Sequence, residues 1–151
     1  MHKLKASLLY FALVMGAGFV LGVIWVPFMV PRLGVTSSAW PAGWVMWWSA
    51  RPVPVWVQVS WLLPFWFAVI VLSARHVVAR FELDPARSPR LQVGFMALAM
   101  AVLAELSMVA AFQGVPVAQY IAGRDPVSGT VYLALLLVFA LMPYLLSRRL
   151  P

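Results

Sequence analysis

Between Leu91 and Phe112 the chain carries a single charged residue, Glu105. At 1.5 Å per residue a helix over this stretch is about 33 Å long, enough to cross a hydrocarbon core of ~30 Å. A carboxylate inside such a span costs at least ~2.5 kcal/mol on insertion scales, so it requires a partner or a task. Counting back from Phe112 places Glu105 roughly 10 Å below that end of the span. Arg32, Arg51 and Arg124 flank apolar runs on the same side and lie within possible reach. Glu105 with these three arginines is the candidate intramembrane polar site.

Three roles are open to the acid. A structural acid pairs with one of the arginines or accepts hydrogen bonds from Ser107, Ser128 or Thr130. A carrier acid takes up and releases a proton or a cation. A general base serves a membrane-embedded enzyme, but that chemistry needs a second convergent group. The nearest acid, Asp125, is already accounted for by the pattern Asp125-Pro126, an acidic N-cap followed by proline at the first helical position. No catalytic residue is assigned on this basis.

The remaining chemistry-bearing residues add little. The chain has no cysteine, which excludes disulfides and thiolate chemistry. His2 and His76 flank apolar runs, and a bis-histidine haem or pigment site is conceivable. An interfacial histidine without a special task needs fewer assumptions. No phosphate-binding glycine loop, metal-ligand spacing or nucleophile elbow is present, so neither a metal nor a cofactor is expected.

The elements that position Glu105 follow from composition. Charged residues make up only 10% of the 151, against about 25% in a soluble domain. Together with a mean hydropathy of +0.95, this predicts an integral membrane protein with the bilayer as its first partner. A net charge of +7 would suggest nucleic acid in a soluble chain. Here the basic residues flank apolar runs, where they orient helices and meet head groups, and nucleic-acid binding is not expected.

Four spans are expected, at about 6–30, 53–74, 91–112 and 127–146, forming one domain over 1–151. The first is too long for a signal-peptide core and reads as a retained helix. Its Ala12-x-x-x-Gly16 and Gly18-x-x-x-Gly22 spacings suit close helix approach, as does the stripe Ala97, Ala101, Glu105, Met108 on the third. Gly16, Gly18, Gly22, Ala97 and Ala101 are therefore the candidate packing positions, and Gly94 and Ala104 flank the stripe. Trp40, Trp44, Trp47 and Trp48 share one face of a short helix expected at the membrane–water boundary. Pro64 should kink the second span, and Pro143 lies near the end of the fourth. Arg75–Arg90, with Asp84-Pro85 and Ser88-Pro89, reads as a turn-rich loop. Val117, Tyr120 and Ile121 are expected on the membrane surface.

The predicted fold class is thus all-α, an integral membrane bundle of four transmembrane helices in two hairpins with a short Trp-rich interfacial segment. Short loops make sequential helices neighbours and leave the order around the bundle open. Eight Lys and Arg lie on the side of the termini and the central loop and three on the other. The positive-inside rule then places both termini in the cytoplasm.

Several strings resemble those of a family of small bacterial inner-membrane proteins with four predicted helices. They are Gly18-x-x-x-Gly22, Pro31-Arg32-Leu33-Gly34, Ala104-Glu105-Leu106, Arg124-Asp125-Pro126-Val127-Ser128-Gly129 and Phe139-Ala140-Leu141-Met142-Pro143. They cover less than a third of the chain, and the Arg-Asp-Pro-Val-Ser-Gly string is the most specific. The resemblance implies a four-helix protein of the bacterial inner membrane and carries no activity. The sequence departs from the pattern at Trp25, where the family implies an arginine, and at Leu62-Leu63, where it implies a glutamate before Pro64. The expected function is non-catalytic: an accessory, structural or assembly subunit acting through contacts with other membrane proteins or with itself. A small proton- or ion-coupled carrier built on Glu105 is the alternative.

Overall fold

In the computed structural model the described residues are 2–29, 63–84, 87–113, 116–122 and 126–146. They are all-helical, without a strand. The helices are α1 (His2–Met29), α2 (Leu63–Arg80), α3 (Arg87–Gln113), α4 (Val117–Ala122) and α5 (Pro126–Leu145). Three stretches are long and apolar enough to cross a membrane, His2–Val20, Leu63–Arg80 and Ser88–Met108. Thr130–Leu145 is a shorter apolar helix.

The expected first, third and fourth spans coincide with α1, α3 and α5 to within a turn or so at each end. Pro126 opens α5, where its missing N–H leaves no helical bond unmade. The second span differs: α2 continues six residues past the expected end at Ala74, to Arg80. The expected loop is correspondingly short, because α3 begins at Arg87 and absorbs Ser88 and Pro89 into its first turn. A buried stripe explains the extension. Ile70, Ser73, Ala74, Val77 and Val78 keep helical spacing across the charged stretch, so packing carries the helix past Arg75 and His76. Pro89 is tolerated because first-turn N–H groups have no intrahelical acceptor. Pro64 stands second in the described part of α2; the segment preceding it, and with it the expected kink, lies outside the described residues.

The helices alternate in direction. Lys3 near the start of α1 donates to Gln92 near the start of α3, 2.7 Å away, so these two run parallel. Gly18 of α1 abuts Trp66 of α2, and Gly94 of α3 abuts Ala140 of α5, so each of those pairs is antiparallel. Around the bundle α1 packs on α2 and α3, and α5 packs on the same two. Helices α2 and α3, joined by six residues, therefore stand at opposite corners rather than side by side. This corrects the expectation that short loops make neighbours.

The elbow that makes this crossing is tightly built. Leu83 N–H donates to Val78 O at 3.2 Å and Glu82 N–H to Ala79 O at 3.4 Å, the paired bonds of a Schellman ending. Leu83 and Val78 are both buried, supplying the apolar contact that accompanies this motif. From the first turn of α3, the buried Arg90 donates to Asp84 O at 3.0 Å and Leu83 O at 2.8 Å. Glu82 takes the left-handed position with φ 45°, where glycine is the usual residue. Glu82→Gly should therefore raise the unfolding free energy by about 0.5–1 kcal/mol, the left-handed cost less the added chain entropy. A lowered unfolding midpoint would contradict this account of the elbow.

The centre of the bundle is organised by Pro143. A proline inside a helix has no N–H for the carbonyl four residues back, and its ring crowds that carbonyl. Here the carbonyl is Phe139 O, and the Tyr10 hydroxyl of α1 donates to it at 2.9 Å. The Tyr10 and Phe139 rings stack with centroids 4.6 Å apart. Tyr10, Phe139 and Pro143 are all buried. One α1 side chain thus repairs the hydrogen-bond gap in α5 and fills the space beside it.

The glycines sort by surroundings. Gly18 is buried beneath the Trp66 indole, whose Cζ2 lies 3.1 Å from where a Cβ would stand. Gly16, expected to pack, is instead exposed, with nothing within 4 Å among the described residues. It lies two residues from Gly18, so a helix turns it some 200° away from α2. Gly22 is in the helical backbone of α1, but its surroundings lie outside the described residues. Ala97 is fully buried and Ala101 packs partly buried against the core.

Candidate functional site

Glu105 sits in the second half of α3, half-buried, where α3 packs on both α4 and α5. Its carboxylate is held from two elements. Tyr120 of α4 donates its hydroxyl to Oε1 at 2.8 Å. Tyr132 of α5 donates its hydroxyl to Oε2. Hydrogen bonds to a carboxylate are shorter and roughly twice as strong as neutral ones, so the acid ties three helices at one point.

Local structure presents each group. Glu105 continues the small-residue stripe one turn beyond Ala97 and Ala101, which lets α5 come close enough for a phenol to reach it. Tyr120 lies in a six-residue helix whose first turn is set by Tyr120 N–H to Pro116 O at 3.0 Å. That turn directs the ring inward, and Tyr120 is buried. The sequence placed it on the membrane surface; the structure adds the contact of its hydroxyl with Glu105. A tyrosine at a boundary has an apolar body and a polar tip, and the tip goes where a carboxylate awaits it.

Sequence reasoning nominated Ser107, Ser128 and Thr130 as donors and passed over both tyrosines. Ser107 is exposed. A signal for Tyr132 existed, however. It lies six residues inside α5 and Glu105 eight residues inside the end of α3, so antiparallel packing puts them about 9 and 12 Å from the same end. Tyr120 gave no such signal, because its helix is too short to show periodicity.

Of the other nominated residues, Arg32, Arg51, Arg124, the cap Asp125 and the tryptophans Trp40, Trp44, Trp47 and Trp48 lie outside the described residues. His2 and His76 are exposed on different helices. Among the described residues no group of three or more His, Asp or Glu side chains is arranged to hold a metal ion.

No family model, curated protein or solved structure matches the chain. The functional reading therefore stands on the geometry.

Chemically the arrangement offers one carboxylate with a tyrosine hydroxyl on each oxygen. Such a group can anchor packing, or it can exchange a proton with a neighbouring phenol or bind a small cation.

Proposed function

We propose that this chain is a multi-pass protein of the bacterial inner membrane, with four spans and cytoplasmic termini, that works without catalysis as an accessory or assembly subunit. Two observations support the membrane reading. Leu8 on α1, Leu72 on α2, Leu103 on α3 and Leu137 on α5 are each more than half exposed, so every long helix presents apolar side chains outward as well as inward. Helices apolar on all sides suit lipid or protein surroundings rather than water. The eight-to-three distribution of basic residues supports the orientation.

The observation that carries the structural role is the engagement of Glu105 by Tyr120 and Tyr132 from two separate helices. An acid spent on holding α4 and α5 together is explained without substrate. The outward apolar faces then remain as contact surface for other membrane proteins.

The reading predicts that extraction in mild detergent brings the chain out with a stoichiometric membrane-protein partner. Recovery only as a free monomer or homo-oligomer would sink it. Glu105→Gln keeps an oxygen acceptor for one phenol and adds an amide donor toward the other. It should cost about 1–2 kcal/mol of stability, as one of the two phenols loses its acceptor, and leave partner recovery intact.

A second reading is favoured by the same carboxylate being half-buried beside two hydroxyls, a short path for a proton or small cation. As a proton- or ion-coupled carrier, the chain would lose pH-dependent uptake in proteoliposomes on Glu105→Gln while remaining folded. Unaltered uptake in that variant excludes the carrier.

A further inference from the structure

The outward face of α2 is divided sharply along its length. Ile70, Ser73, Ala74, Val77 and Val78 are buried against the bundle. On the opposite face Phe65, Ala68 and Leu72 are exposed, and Arg75, His76 and Arg80 are exposed immediately beyond them. From Phe65 to Arg75 is ten residues, about 15 Å along the helix. This apolar strip runs directly into three groups able to meet an anion.

Those three groups are not used by the fold. No hydrogen bond or ion pair among the described residues engages Arg75, His76 or Arg80, whereas Arg90 on the next helix is committed to the elbow. The acids at this end are Glu82 and Asp84, both exposed in the elbow beyond Arg80. Lys3 and Lys5, exposed on the first turn of α1, lie at the same end and more than restore the positive balance. The three carbonyls at the end of α2 nearest these cations, Val77, Val78 and Ala79, are each taken by an elbow N–H, which reduces the repulsion an incoming anion would meet.

We propose that this face binds a phospholipid with a net negative head group. The phosphate lies against Arg75, Arg80 and His76, and an acyl chain runs along Leu72, Ala68 and Phe65. The phosphate alone could come from a soluble phosphomonoester; the exposed apolar strip continuous with the cations argues for the lipid. The inference rests on the membrane reading above.

The experiment uses the full chain, delipidated in detergent. Binding of phosphatidylglycerol is compared with phosphatidylcholine of identical chains, and with glycerol phosphate and inorganic phosphate. Bound lipid is counted by native mass spectrometry, alongside the shift in unfolding midpoint. Phosphatidylglycerol should be retained and should raise the midpoint, with phosphatidylcholine and both soluble phosphates well behind. Each of Arg75→Gln and Arg80→Gln should weaken phosphatidylglycerol binding about fivefold, and the double variant about 25-fold. The lipid-free midpoint should stay unchanged, since both side chains are exposed and unbonded. Equal binding of phosphatidylcholine, equal binding of glycerol phosphate, or an unaffected double variant would each overturn the proposal. Release of the wild-type chain from membranes by an alkaline wash would instead overturn the membrane reading beneath it.

Discussion

Gly94→Leu should abolish the folded bundle, and Gly94→Ala should cost about 1–3 kcal/mol, while Gly16→Ala should be neutral or slightly stabilising. At Gly94 a Cβ would press against the Ala140 carbonyl oxygen of α5 and stand 2.9 Å from its carbonyl carbon and 3.4 Å from its Cα. All three atoms are backbone, so no rotamer change can make room. The helices must separate or shift along one another, and van der Waals packing between helices falls off steeply with separation. Gly16 gives the control. A Cβ there meets nothing among the described residues, so the alanine adds only helix propensity, worth up to about 1 kcal/mol. Gly18 should fall between, since a Cβ would meet the Trp66 ring, a side chain that can move. The measurement is the unfolding free energy of each variant in mild detergent. Equal values for Gly94→Ala and Gly16→Ala would refute the close approach of α3 and α5.

The contrast between these glycines marks the limit of what the sequence reveals. Small residues four apart can be read directly, but spacing does not say which face of a helix looks inward. Gly16 and Gly18 both belong to small-residue pairs, and the bundle uses Gly18 and turns Gly16 away. Gly94, noted only as a flanking residue, makes the tightest helix contact. The long helices were legible because apolar length is a local property of each segment. The end of α2 was misread for a related reason: charge at Arg75 and His76 is local, whereas the stripe of Ala74, Val77 and Val78 that carries the helix onward has meaning only once α1 and α5 lie against it. Glu105 could be singled out from its isolation in an apolar run. Its partners Tyr120 and Tyr132 lie 15 and 27 residues away across turns, beyond any helical periodicity.

Tyr10→Ala should cost about 3–5 kcal/mol and Tyr10→Phe about 1–3 kcal/mol, and the second cost should shrink when Pro143 is replaced by alanine. The alanine variant loses a fully buried aromatic ring stacked on Phe139, and with it the contact across the bundle between α1 and α5. The phenylalanine variant keeps the ring and removes only the hydroxyl. Its cost arises because Phe139 O, denied a helical donor by Pro143, is left buried with no partner in place of Tyr10. Pro143→Ala supplies that donor from its own N–H, so the carbonyl is satisfied within α5 whether or not Tyr10 is present. The tyrosine hydroxyl becomes a competitor for an acceptor already taken, and its removal should then be close to neutral. A double-mutant cycle on unfolding free energies in mild detergent isolates this coupling, expected at about 1 kcal/mol or more. The two residues are 133 positions apart in the chain and share the Phe139 carbonyl. Additive costs in the cycle would mean that Tyr10 contributes by packing alone and that the gap left by Pro143 is closed some other way.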